Sequence, residues 1–140
     1  MSLLNALDVN SSGLTAQRQR VEVSSANLAN SQTTRTPEGG PYRRRDVVFQ
    51  SVPFANELDA ASAGLNGVQV VGVYEDQTDF DRRYEPGHPD ADKQGYVEYP
   101  NINIMEEMAN LVEASRSYEA NISALNIVKT MISKTLELGR

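Results

Sequence analysis

Cysteine is absent from the 140 residues, which excludes a disulfide scaffold, a cysteine–zinc site and a thiol nucleophile. Histidine is nearly absent: His88 alone allows neither a multi-histidine metal site nor a two-histidine mechanism. Long apolar runs are also missing, and none approaches the roughly 18 residues of a membrane-spanning helix. Strongly apolar side chains are few, with Leu, Ile, Val and Phe making 32 of the 140 residues. That is about 23%, just above the roughly 20% below which disorder is the default reading. A folded core is expected, but a lean one. The start of the chain lacks the early Lys or Arg of a cleavable secretory signal, because the first basic residue is Arg18. Asn5, Asp8, Asn10 and Ser11 interrupt its apolar stretch, so this segment is expected to belong to the mature protein.

Length suits one domain, or a small domain with extensions. The net charge of -6 is unevenly spread. Residues 1–45 carry +3, residues 46–103 carry -8 and residues 104–140 carry -1. An acidic middle between nearly neutral ends suggests a solvated central module flanked by segments that contact protein.

Leu7, Leu14, Val21 and Leu28 recur every seven residues, with Leu4 before them and Val9, Ala16 and Val23 as a second row. That interval keeps one stripe on one side of a helix, as in coiled-coil-like packing. No Pro precedes Pro37, and Ser2 fits as the N-cap. A helix is expected over about 3–30. Near the other end Ile104, Leu111, Tyr118, Leu125 and Ile132 share the seven-residue interval, with Met108, Ile122 and Leu136 four positions later on the same face. Asn103 to Glu106 has the spacing of a capping box, Pro100 precedes the start and Gly139 follows the end. The second helix is expected over about 102–138.

Between them Thr36-Pro37-Glu38-Gly39-Gly40-Pro41 must turn or extend. The runs 47–52 and 68–74 are rich in β-branched residues, and 96–99 is a weaker strand candidate. The fold class is therefore α+β. Its expected parts are an N-terminal helix within 1–34, an extended connection 35–46, a small β-rich module 47–100 and a C-terminal helix within 101–140. At 1.5 Å per residue the helices are about 42 and 55 Å long. A compact globule of this size is only about 37 Å across, so the helices must pair and stand out or pack on other subunits. Assembly is the favoured reading.

Chemistry is harder to find. The best cluster is Glu75, Asp76, Asp79, Asp81, Glu85, His88, Asp90 and Asp92. Asp90-Ala91-Asp92-Lys93-Gln94-Gly95 is similar to the start of an EF-hand loop, but Asn101 stands where its bidentate Glu belongs, and Pro89 and Pro100 block the flanking helices. His88 with an Asp forms a possible acid–base pair, weighed against an exposed loop histidine. Arg43-Arg44-Arg45 is a weak nucleic-acid signal on an acidic chain and is expected to pair with acidic surfaces. No nucleophile elbow, phosphate loop or dinucleotide fingerprint occurs. No catalytic residue, cofactor or metal site is expected, and the chain is not read as an enzyme.

Particular residues carry a family resemblance. Ser25-Ala26-Asn27-Leu28-Ala29-Asn30, followed by Thr33-Thr34, resembles the ANxxN signature of bacterial flagellar axial proteins. Pro41-Tyr42-Arg43, Val47-Val48-Phe49-Gln50, Tyr84 to Asp92, Gly95-Tyr96-Val97, Pro100-Asn101, Arg116 to Asn121 and Lys134 to Gly139 narrow it. Together they resemble the flagellar basal-body rod proteins, and among them the short members of the proximal rod, with residues 54–66 least diagnostic. The resemblance implies a structural subunit whose terminal helices pair into a core domain and stack helically into a tube. It implies as partners other rod proteins and further copies, the membrane-ring and rod-adaptor proteins at the rod base, and the flagellar type III export apparatus, with no nucleic acid and no membrane insertion. The implied place is the periplasmic rod, reached without a cleaved signal. The expected assembly interface is Leu7, Leu14, Val21, Leu28, Leu111, Tyr118, Ile122, Leu125, Ile132 and Leu136, with Asn27, Asn30 and Asn121 fixing register. The rival readings are an acidic metal-dependent hydrolase using residues 75–92 and a monomeric helical-hairpin adaptor.

Overall fold

The computed structural model describes residues 3–53 and 66–139. The Ser2 cap, the Leu4 side chain and all of 54–66 except Asn66 lie outside the described residues. Among the described residues six elements follow in order: α1 (Leu3–Ala29), β1 (Arg45–Pro53), β2 (Asn66–Glu75), β3 (Asp81–Tyr84), β4 (Tyr96–Tyr99) and α2 (Ile104–Leu138). The architecture is α+β, two long helices with small antiparallel sheets between them in sequence.

α2 begins two residues later than expected because Asn103 is its N-cap, in extended conformation, accepting from the Met105 and Glu106 N–H groups. α1 ends as Asn30 Nδ2 donates to the Ala26 carbonyl at 2.9 Å, while Thr33 Oγ1 donates to Asn30 Oδ1 at 3.1 Å. The helices are antiparallel: Asn27 meets Glu107, Arg20 meets Asn110 and Glu113, and Gly13 faces Asn121.

β1 pairs with β2, with Arg45 opposite Glu75 and Pro53 opposite Asn66. The register jumps between Val48 and Phe49, which leaves Val71 as the extra residue of a bulge. This hairpin leans along α1, where the Val68 N–H donates to Ser12 Oγ at 3.1 Å. β3 pairs with β4, with Asp81 opposite Tyr99 and Tyr84 opposite Tyr96. β3 was not expected from the sequence. Asp81-Arg82-Arg83-Tyr84 is exposed along its whole length, so no apolar alternation marks it. Its pairing partner creates the strand.

Among the described residues the buried apolar side chains are Ala16, Tyr42, Val47, Val97 and Ala114, and the buried polar ones are Ser24, Asn27 and Glu107. So thin a core leaves large apolar groups in water, including Phe49, Val71, Met105, Val112 and Leu138.

A buried polar clasp and the candidate assembly surface

A cluster of buried polar groups lies where α1 ends, β1 begins and α2 begins. Asn27 Nδ2 donates to the Arg45 carbonyl at 2.7 Å, and the Arg45 N–H donates back to Asn27 Oδ1 at 2.9 Å. The Tyr42 hydroxyl donates to that same Oδ1 at 3.0 Å. Glu107 completes the clasp: it accepts from Asn27 Nδ2 at 3.3 Å and from Arg44 Nε at 2.7 Å. Asn27 and Glu107 are each only 1% exposed. Asparagine suits its place because it alone offers a donor and an acceptor at this short reach; Asp lacks the donor and Gln adds a methylene. Burial raises the Tyr42 phenol above its ordinary range, which keeps it a neutral donor. Burial also opposes the Arg44 charge, but the hydrogen bond and charge of Glu107 outweigh it and the guanidinium pKa is raised.

Along the helix pair the centre of the seam is small or polar. Ala16 and Ala114 are buried, Arg20 Nη2 donates to Glu113 Oε2 at 3.0 Å, and a methyl on Gly13 would sit 3.1 Å from Asn121 Nδ2. The apolar rows flank this centre. Leu7, Leu14, Val21, Leu28, Leu111, Tyr118, Leu125 and Ile132 are half-buried, as are Asn30 and Asn121. Ile122 is 38% and Leu136 69% exposed, so within one chain they are not covered. Arg18, Val21, Glu22, Ser115, Tyr118 and Glu119 border an open groove between the two helices. On the outer side of α2, Met105, Met108 and Val112 form a second exposed apolar strip.

The acidic middle turns its carboxylates to local structural work. Asp92 Oδ1 accepts the Gln94 and Tyr96 N–H groups at 2.8 and 2.9 Å, and its Oδ2 accepts Arg82 at 2.9 Å. Those bonds, the Tyr96 amide foremost, hold the Asp92 pKa below its ordinary value. Asp90 faces elsewhere, accepting Thr34 Oγ1 at 2.9 Å and pairing with Arg35 at 3.5 Å. The two Asp residues of the EF-hand-like stretch therefore diverge. Glu85 accepts the Tyr99 hydroxyl at 3.0 Å, and this bond chiefly raises the Tyr99 pKa. His88 is half-buried edge-on to Tyr99, with Nδ1 accepting the Asp90 N–H at 3.1 Å. No group of three or more potential metal ligands occurs among the described residues.

The three consecutive arginines separate in the same way. Arg43 donates to the Asp76 carbonyl and covers the Phe80 ring, Arg44 holds Glu107, and Arg45 pairs with Glu75 at 3.0 Å. Sequence reasoning missed Glu107 and the partnership of Arg44, since an acidic residue in a first helical turn reads as a partner of the helix dipole. One signal existed: Glu107, Ala114 and Asn121 share a seven-residue row of their own, and that row faces α1.

Comparison with known proteins covers both helices. Residues 7–35 match the family model described as flagella basal body rod protein, and residues 93–138 match the C-terminal model of the flagellar basal body rod FlgEFG proteins. The chain is 48% identical to the flagellar basal-body rod protein FlgC of Escherichia coli O6:H1 over the full length of both. It is 47% identical to that of Salmonella typhimurium and 44% identical to that of Bacillus subtilis, again covering both chains completely. With terminal helices that match the rod models and end-to-end similarity to FlgC proteins, the chain belongs to the flagellar basal-body rod protein family, is FlgC-like within it, and is a structural subunit of the basal-body rod.

Proposed function

We propose that this subunit lies in the proximal part of the rod and assembles with copies of itself and other rod proteins into the shaft that transmits motor torque. The observation that carries this is the half-covered state of the apolar rows on both helices. Their burial between subunits gains roughly 25 cal/mol per Å² of apolar surface, which one chain alone leaves unrealised. The interface comprises Leu7, Leu14, Val21 and Leu28 on α1 and Leu111, Tyr118, Ile122, Leu125, Ile132 and Leu136 on α2. Asn30 and Asn121 act as register-setting polar groups within it, whereas Asn27, buried in the clasp with all its partners in the same chain, sets register within the subunit. Residues 1–34 and 101–140 form the stacking core, 35–46 the connection, and 47–100 the outer module. The subunit reaches the periplasm through the flagellar export apparatus, meets membrane-ring and adaptor proteins at the rod base, and performs no catalysis.

Density in a reconstruction of isolated basal bodies tests the position, with residues 3–29 and 104–138 expected side by side in the proximal rod wall. Their absence from that wall overturns the reading. Titration of the purified chain with divalent cations by calorimetry tests the hydrolase alternative, and saturable binding at residues 75–92 would favour it.

A further inference from the structure

Among the described residues the largest fully buried side chain is an ionisable one, Glu107. A buried ion pair adds little net stability, because desolvation of both charges offsets their attraction. Its best-attested use is to select one register among competing ones. This seam has competitors. Ala16, Ala114 and Gly13 present little shape at its centre, and the flanking apolar rows recur at four- and seven-residue steps. A slip of one helical turn, about 5.4 Å, leaves such contacts nearly unchanged. The clasp is different, because the slip withdraws Glu107 from both Arg44 and Asn27 and leaves a carboxylate without its partners. The ion pair that joins the two helices directly, Arg20 with Glu113, is weak as a lock because the Glu113 side chain is 66% exposed.

We propose that Glu107 and Arg44 are positioning residues that hold α1 and α2 in a single register and fix where β1 starts relative to both. Arg44 directly precedes β1, and its neighbour Arg45 is bound through its backbone to Asn27. The same pair therefore sets the direction in which the strand hairpins leave the helices. The consequence for assembly rests on the rod reading: copies stack repetitively only if each presents the same register.

The chain lacks cysteine, so introduced pairs report register cleanly. Gly13→Cys with Asn121→Cys reports the observed register. Gly13→Cys with Asn121→Ala and Leu125→Cys, or with Asn121→Ala and Ser117→Cys, reports a one-turn slip in either direction. With the clasp intact, only the first pair is expected to form a disulfide. With Arg44→Leu and Glu107→Met added, the chain is expected to keep its helical circular dichroism while slipped cross-links rise about tenfold or more, the scale of one lost charge-assisted bond. Retention of the single register in that variant overturns the proposal. Loss of its helical signal also overturns it, since the pair would then be a plain stability contact. In a flagellated host lacking its own copy, the slipped variant is expected to be exported but not to restore motility. Restored motility would remove the assembly consequence. Failure of the unaltered chain to enter basal bodies would instead overturn the rod reading and leave the cross-linking result standing.

Discussion

Asn27 meets Arg45 as one strand meets its neighbour: the side-chain amide gives a hydrogen to the Arg45 carbonyl at 2.7 Å and takes one from its N–H at 2.9 Å. A helix side chain thus supplies the pairing that the first residue of β1 would otherwise need from backbone. The end of α1 and the beginning of β1 become one unit, although 18 positions separate the two residues.

Removing that side chain therefore has a calculable effect. Asn27→Ala leaves the Arg45 N–H and carbonyl without their partner, at roughly 1–3 kcal/mol for each group that water cannot reach. Tyr42→Phe removes one of the donors on Asn27 Oδ1, and a loss of about 0.5–1.5 kcal/mol is expected. Urea unfolding should rank the two in that order. Equal effects would mean that the Arg45 pairing contributes nothing.

Gly95 is required by conformation and by space. Its φ is +86°, and a methyl there would lie 2.8 Å from the Tyr84 ring. Gly95→Ala is expected to destabilise the β3–β4 hairpin by more than about 1 kcal/mol, beyond the usual Gly-to-Ala gain. Amide exchange at Tyr96 and Val97 should accelerate while exchange within α1 is unchanged. An unchanged hairpin would show that the left-handed turn is dispensable.

Acid should loosen the same hairpin. The Asp92 pKa lies below its ordinary 3.8 in the fold, so the carboxylate's contribution is present above that value and is lost as pH falls through the folded pKa. Little change is expected between pH 8 and 5. Below about pH 4 the Gln94 and Tyr96 amides should lose protection, as read by NMR. Asp92→Asn should blunt this response, and an identical response in that variant would assign it to another group.

The helices and the acidic loop should separate in a motility assay. Leu14→Asp or Leu125→Asp places a charge in a half-buried row, at a cost of several kcal/mol once a neighbouring subunit covers it. Neither variant is expected to restore motility in a host lacking its own copy. His88→Ala with Asp90→Ala removes the best acid–base candidates and is expected to restore it. That double variant is milder in chemistry than in structure, because Asp90 ties the loop to Thr34 and Arg35. Reduced thermal stability with motility retained is the expected outcome. Swimming helix variants beside an immotile His88 variant would reverse the assignment of function.

Both long helices were legible because apolar residues recur at helical intervals, and backbone hydrogen bonding with local caps needs only nearby residues. Asn103 at the start of α2 and Asn30 at the end of α1 are such local determinants. The strands 45–53 and 66–75 were legible through the β-branched runs 47–52 and 68–74, and 96–99 as a weaker candidate, whereas β3 was not, since all four of its residues face solvent. The family signature placed Asn27 among residues of interest without revealing its partner. Which side chains meet in the clasp was decided only by the tertiary structure. Glu107 lies 63 positions from Arg44 and 80 from Asn27, and no periodicity encodes a pairing across that distance. The sequence by itself determined where the helices and three of the strands form. Which face of α2 turns toward α1 was decided only by the tertiary structure: the row of Glu107, Ala114 and Asn121 packs there, because burial of the Glu107 carboxylate is compatible only with a place where Asn27 and Arg44 can donate to it.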